Sequence, residues 1–318
     1  MTQPMTQPTK LALVFPGQGS QSVGMMTAYG DLPAIRQTFD EASAALGEDL
    51  WALAESGPAE AQALTVNTQP LMLAAGVAVW RAWCDLGGPA PAFVAGHSLG
   101  EYGALVAAGV LDFADAIKLV RLRAQAMQEA VPAGQGAMAA LLGLDEPATR
   151  QACQEAAQGE VVEPANLNSP GQIVIAGHAS AVARAMEAAK ALGAKRAVLL
   201  PVSAPFHCSL MKPAGARLGD KLATTTLREP AIPVLHNVDV QPHRNADEIR
   251  TALVAQTYSP VRWIETIQAL SAAGVTHVFE CGPGKVLAGM TKRIAPELSG
   301  AALVDQESLA QAIQLCKA

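Results

Sequence analysis

Apolar positions along the 318-residue chain recur with two different periods, and the order of the segments predicts a chain of alternating strands and helices. Leu11 to Phe15 is an uninterrupted apolar run, read as a short buried strand, and Pro16-Gly17-Gln18-Gly19-Ser20 breaks it into a loop. Helical spacing follows over about 33–46 and 69–85. Within the second of these, Leu71 to Trp80 reads as a buried helix, because ten apolar residues fall well short of the roughly 20 that a membrane span needs. Ala92 to Ala95 is a second short apolar run, closed by Gly96, and from Leu99 to about Ala108 small and apolar residues return at helical spacing. Strand, sharp turn and helix are therefore expected in immediate succession. A further helix, about Phe113 to Ala130, carries Arg121 and Arg123 and ends before the loop-forming Pro132-Ala-Gly-Gln-Gly136.

Beyond that loop the pattern predicts strand 137–142, helix 146–158, strand 161–166, a turn at Asn168-Ser-Pro-Gly171, strand 172–176, helix 179–192 and strand 195–200. The order β-α-β-β-α-β is the ferredoxin-like signature. Helices near 212–223, 246–256 and 260–273, a strand at 275–280 and a helix from about 284 complete the reading. The expectation is an α/β fold whose discontinuous body, residues 10–134 and 201–318, is interrupted by a small subdomain at 135–200. Residues 1–9 are expected to be disordered or extended. The MTQP that opens the chain occurs twice, which reflects an ambiguous start at Met1 or Met5 rather than a repeat architecture with a period of roughly 20–50 residues.

Composition narrows the class. Half of the residues are hydrophobic and 16% are charged, which excludes a disordered chain, and with aromatics at 4% the core must be built from aliphatics and alanine. Lys and Arg number 22 against 28 Asp and Glu, and the net charge of −6 argues against a broad nucleic-acid footprint. The cysteines, at 84, 153, 208, 281 and 316, are odd in number, form no CxxC pair and have no metal-like spacing with histidine. Reduced thiols and a cytoplasmic location are expected, without a metal site. The apolar run before Pro16, Leu11 to Phe15, is only five residues long, too short for the apolar segment of a secretory signal.

Gly96-His97-Ser98-Leu99-Gly100 matches G-x-S-x-G, and the predicted strand and helix on either side are the context that gives this short pattern meaning. The glycines permit a tight turn that presents the Ser98 hydroxyl, and the Leu99 backbone N–H can receive developing negative charge. The plain alternative is a serine that merely caps a helix. A serine nucleophile needs a base, and His207, in the proline-broken Pro205-Phe206-His207-Cys208, is the best placed of six histidines. His97 adjoins the serine but is expected to point away from it; His178 begins a helix, and His236, His243 and His277 lack a comparable setting. Asp112, Asp115 and Asp145 lie between serine and histidine, but none at a clear strand end, so a backbone carbonyl is left to orient the imidazole. Gly17-Gln18-Gly19-Ser20 lacks the lysine of a phosphate loop, and Ser22 replaces the third glycine of a dinucleotide loop; its backbone N–H groups remain free to approach an oxyanion or to form a plain turn. Arg123 is either a receptor for a substrate carboxylate or a solvated, salt-bridged arginine.

Phe15-Pro-Gly-Gln-Gly-Ser-Gln21, Gly96-His-Ser-Leu-Gly-Glu101, Asn166-Leu-Asn-Ser-Pro-Gly-Gln172, Pro205-Phe-His207, Asn237-Val-Asp239 and Gly282-Pro-Gly-Lys285 occur in this order. From about residue 10 to 305 the chain resembles the malonyl-CoA:acyl carrier protein transacylases, in the stand-alone form of type II fatty acid synthesis. The resemblance implies an α/β-hydrolase-like body carrying a ferredoxin-like subdomain. It implies Ser98 as nucleophile, His207 as base, Gln18 and Leu99 as the oxyanion hole, and Arg123 as the holder of the malonyl carboxylate. The histidine-orienting carbonyl falls to Gln256, in Gln256-Thr-Tyr-Ser-Pro-Val261, and His97, Asn166 and Phe206 are expected to line the site. Phe206 departs from the serine common before this histidine in bacterial stand-alone enzymes and resembles the phenylalanine of malonyl-selective polyketide acyltransferases.

The implied substrates are malonyl-CoA and the holo form of an acidic acyl carrier protein, with no bound cofactor, no nucleic acid, no membrane, and a monomer as the working state. Lys195, Arg196, Lys212, Arg217 and Lys221 are the basic residues that flank the His207 segment and could dock the carrier. Polyketide and malonate-decarboxylase acyltransferases share much of this pattern. A serine esterase or thioesterase shares only the nucleophile turn, and a docking subunit without catalysis would share only the fold.

Overall fold

The computed structural model describes residues 9–317, so the segment expected to be disordered or extended lies, up to residue 8, outside the described residues. In chain order the strands are β1 (Leu11–Phe15), β2 (Phe93–Gly96), β3 (Gly136–Leu142), β4 (Val162–Ser169), β5 (Gln172–His178), β6 (Arg196–Leu199), β7 (Val234–Leu235), β8 (His277–Cys281) and β9 (Ser299–Leu303). Five of them form a sheet in the order β7-β2-β1-β8-β9, and four form a second sheet in the order β4-β5-β3-β6. Neighbours in the first sheet run parallel. Those in the second run antiparallel. This is an α/β-hydrolase-like body with a ferredoxin-like insert.

Alternation along β1 explains the layering. Leu11, Leu13 and Phe15 enter one core with the helices Pro33–Leu46 and Thr65–Asp85, while Ala12 and Val14 enter another with Trp263, Ile267, Leu287 and Met290. Both faces of the strand are covered, which is why it reads as an unbroken apolar run. In the insert, Ala139 and Leu141 pack under the helices Glu146–Ala157 and Ala179–Ala191, whereas Met138 faces the body with Met127 and Phe206. Backbone bonds stitch the insert to the body: Val261 N–H donates to the Ala165 carbonyl at 2.9 Å, and Leu167 N–H to that of Val261 at 2.9 Å.

Several boundaries differ from the sequence pattern for identifiable reasons. β4 continues to Ser169 through register shifts after Pro164 and Leu167, so Asn166 and Asn168 lie on a strand and the turn narrows to Pro170-Gly171. The expected start at 69 gives way to a helix from Thr65 that carries Pro70 inside it, one forgone hydrogen bond being offset by burial from Leu71 onward. The helix expected at 260–273 spans Trp263–Ala272, since Val261 is extended against β4. Helices Leu50–Ser56, Ala59–Ala63 and Gln306–Lys317 and strands β7 and β9 escaped the pattern. β7 is two residues long, and β9, Ser-Gly-Ala-Ala-Leu, has little strand propensity and exists through pairing with β8.

Candidate active site

β2 ends at Gly96 and the next helix spans Gly100–Ala107, which compresses the reversal into three residues. Ser98 at its apex has φ 53°, a left-handed conformation that is costly for any residue with a Cβ. A Cβ on Gly96 would lie 1.9 Å from the Gly100 carbonyl carbon, and one on Gly100 would lie 1.9 Å from the Phe15 carbonyl oxygen. Glycine at both positions is thus a packing requirement. Asn237 clamps the turn, its Nδ2 donating to the Gly96 carbonyl and its Oδ1 accepting from Ser98 N–H, both at 2.7 Å. The helix-cap alternative for Ser98 fails, because the residue at the cap is Leu99 and the Ser98 hydroxyl is engaged elsewhere.

That engagement is with His207, whose Nε2 lies 2.6 Å from Ser98 Oγ. On the far side of the ring Nδ1 is 2.8 Å from the Gln256 backbone carbonyl. A carbonyl can only accept, so the proton is on Nδ1 and Nε2 is left to accept from the serine. Burial, followed by the positive charge of Arg123, lowers the His207 pKa to about 3, so the ring is neutral and able to take a proton. The intervening aspartates have local structural places: Asp112 and Asp145 cap helices, accepting from Ala114 and Ala148 N–H, and Asp115 sits in a first helical turn.

Arg123 is 1% exposed on the inner face of helix Phe113–Glu129. The alternative of a solvated, salt-bridged arginine is excluded. Its Nη1 donates to Gln69 Oε1 at 2.8 Å, and Nη2 donates to Gln256 Oε1 at 2.9 Å and to Ser98 Oγ at 3.2 Å. Among the described residues no carboxylate is within ion-pair distance of it. The guanidinium also lies over the Tyr102 ring, 5.5 Å from its centroid. Burial pulls its pKa below the ordinary arginine value, the sign of a cation kept from water without a full counter-charge.

These groups open onto a cleft of about 150 Å³, lined by Gln18, Leu99, His97, Asn166 and Phe206 as well as Ser98, Arg123 and His207. Among the described residues, the backbone N–H groups of Gln18 and Leu99 donate to no other group of the chain. Gly17 lets the Gln18 loop approach, since a Cβ there would sit 2.7 Å from the His97 carbonyl oxygen. His97 borders the cleft with its ring turned to Asn168: its Nε2 is held by Asn168 Oδ1 at 2.8 Å, and burial lowers its pKa. Gln256 lies beneath the lining, with its side chain on Arg123 and its backbone on His207. Sequence reasoning missed Gln69, Met127, Met138, Leu200 and Val202, which also line the cleft. The available signal for Gln69 was a polar residue just ahead of the apolar run that begins at Leu71.

A strained serine on a strand–turn–helix, a neutral histidine bonded to it and two free N–H groups are the parts of an enzyme that passes acyl groups through a serine ester. The profile of the family described as Acyl transferase domain matches residues 12–304, and the chain belongs to that family. It is 56% identical to the malonyl CoA-acyl carrier protein transacylase of Escherichia coli (strain K12), over 96% of this chain and 100% of that one. The crystal structure of an acyl carrier protein S-malonyltransferase from Vibrio cholerae superposes with a TM-score of 0.94 at 56% identity, covering 95% of this chain and 99% of that one. A malonyl-transacylase solved in complex with its type II PKS acyl-carrier protein gives 0.95 at 53% identity, covering 96% and 100%.

Proposed function

We propose that this acyltransferase moves malonyl groups from malonyl-CoA to the phosphopantetheine thiol of an acyl carrier protein through a malonyl ester of Ser98. The carrying observation is the placement of Arg123: a buried guanidinium with only neutral acceptors, 3.2 Å from the Ser98 hydroxyl. A cation held this way is costly unless an anionic substrate completes it, which favours an acyl group ending in carboxylate over the neutral esters of a general esterase.

In the first half-reaction Ser98 Oγ attacks the thioester carbon while its proton passes to His207 Nε2. The Leu99 and Gln18 N–H groups receive the oxyanion. The C–S bond then breaks and the CoA sulfur takes the proton back from His207. In the second half-reaction the carrier thiol gives its proton to His207, its sulfur attacks the ester, and Ser98 leaves with that proton.

Lys195, Arg196, Lys212, Arg217 and Lys221 are all exposed, and we assign them to the docking of the acidic carrier, with Arg217 first having to leave its partner Glu129. Among the described residues no helix is long and apolar enough to cross a membrane. The reading is of a cytoplasmic monomer supplying malonyl units for fatty acid synthesis. Incubation with malonyl-CoA, measured by intact mass, followed by addition of holo carrier protein, tests the function. A malonyl adduct that forms on Ser98 and then moves to the carrier thiol is expected; an adduct released only to water would make the protein a thioesterase.

A further inference from the structure

Glu101 is fully buried in the first turn of the helix that follows Ser98, and it touches neither the cleft nor the reacting atoms. A buried carboxylate needs compensation, and this one accepts three hydrogen bonds. His236 Nδ1 lies 2.6 Å from Oε1, while Asn237 N–H at 3.1 Å and Gln256 Nε2 at 2.7 Å share Oε2. The Gln256 amide also donates to the Ser98 backbone carbonyl at 2.9 Å. Both acceptors of Gln256 Nε2 are groups that cannot donate, so the amide has one orientation and its Oε1 must face Arg123.

Resting on the malonyl-transfer reading, we infer that Glu101 is a positioning residue for that reaction, acting through Gln256 to aim the Arg123 cation while leaving it open to substrate. A carboxylate placed directly on Arg123 would occupy the guanidinium fork that the substrate needs. One amide further away, the same negative charge offsets the cation without competing for it. Gln256 carries two functions on separate atoms, since its backbone carbonyl holds His207 and its side chain holds Arg123. Loss of the anchor therefore acts mainly on the cation, that is, on the preference for a carboxylate-bearing acyl group.

Single-turnover acylation from malonyl-CoA and acetyl-CoA, read by intact mass, tests this in a cycle of Glu101→Gln, Gln256→Ala and the double variant. Glu101→Gln replaces two acceptor oxygens with one. It is expected to lower the malonyl-over-acetyl preference about tenfold to hundredfold, the range for a lost hydrogen bond to a charged group. Gln256→Ala keeps the carbonyl that His207 uses and is expected to show a similar loss, with little further loss in the double variant. Wild-type preference in Glu101→Gln, or losses that multiply in the double variant, overturns the inference, because a merely structural carboxylate would do one or the other. If thermal unfolding shows that Glu101→Gln does not fold, Gln256→Ala alone decides: retained preference overturns the inference and lost preference supports it. A wild-type protein that forms no malonyl-serine would instead overturn the functional reading.

Discussion

Ser98 and His207, 109 residues apart, meet at 2.6 Å while both hold left-handed backbone conformations, at φ 53° and 61°. Neither is glycine, so each position stores strain of about 1–2 kcal/mol that the surrounding fold must offset. At Ser98 the Asn237 clamp and the two flanking glycines do so; at His207 the Gln256 carbonyl holds the ring. The hydroxyl and the imidazole are thus aimed at each other by the fold itself, and little reorganisation remains for the proposed acyl transfer.

Ser98→Ala is expected to abolish the malonyl adduct, a loss of at least about 10³-fold of the kind seen for serine nucleophiles. The thermal unfolding temperature should hold, since the hydroxyl contributes little packing. Intact mass after incubation with malonyl-CoA is the measurement, and an adduct persisting on the variant would sink the assignment.

Arg123→Ala removes a buried cation that no neutral group can replace. Malonyl transfer is expected to fall about 30-fold to several thousandfold, the cost of removing one partner of a buried charge pair. Acetyl transfer should be spared or should rise. Arg123→Lys keeps the charge without the paired donors and is expected to recover only part of the loss. Acylation rates from malonyl-CoA and acetyl-CoA, compared side by side, decide: a variant that keeps the wild-type preference would leave Arg123 without a role in specificity.

His207 is held neutral by burial and by Arg123, with its pKa lowered to about 3. As the proposed base it is therefore in its working form above that value, so acylation is expected to show no acid limb from His207 between pH 7 and about 4 and to fall as the pH drops through about 3. Stability follows the same sign. An unfolded histidine takes up a proton near its ordinary pKa of about 6.5, whereas the folded one does not, so this group's contribution is present above about 6.5 and declines between there and 3. Thermal unfolding from pH 7 to 4 should show a steeper loss for the wild type than for His207→Ala; parallel losses would count against the shift.

Gly100→Ala is expected to destabilise the protein by about 3 kcal/mol or more, or to prevent folding, because the added methyl meets backbone that cannot yield. The atom it meets is the Phe15 carbonyl oxygen, 1.9 Å away. Gly289→Ala, with open space around its Cβ position, is the matched control and should be nearly neutral. Denaturant unfolding of the two variants makes the comparison, and equal stabilities would contradict the close approach.

Carrier docking through Lys195, Arg196, Lys212, Arg217 and Lys221 carries an ionic-strength signature. Transfer to the acidic carrier is expected to slow with added salt more than acylation by malonyl-CoA does, since steering between exposed charges is screened over about 10 Å at 0.1 M. Rates of the two half-reactions measured across a salt series test it, and equal sensitivity would argue against the patch.

The residues around Ser98 were legible from the chain alone because their constraint is local: an apolar strand, two glycines and a helical run within a few positions can make only one kind of turn. The β-α-β-β-α-β order of the insert was legible for a similar reason, as its periodicity switches within short windows. His207 could be singled out only by its proline-broken setting, and the carbonyl that orients it only by resemblance. What surrounds Arg123 was hidden. Gln69 is 54 residues from it and Gln256 is 133, and Gln256 reaches Glu101 across 155. Strands β7 and β9 were invisible for the same reason, being defined by the neighbours they pair with rather than by their own side chains. A local pattern records which face of an element is apolar and where the backbone must turn. The partner that satisfies a buried polar group is chosen only when the sheet order and the packing of helices bring distant residues within 3 Å, and the surroundings of Arg123 are made of such partners.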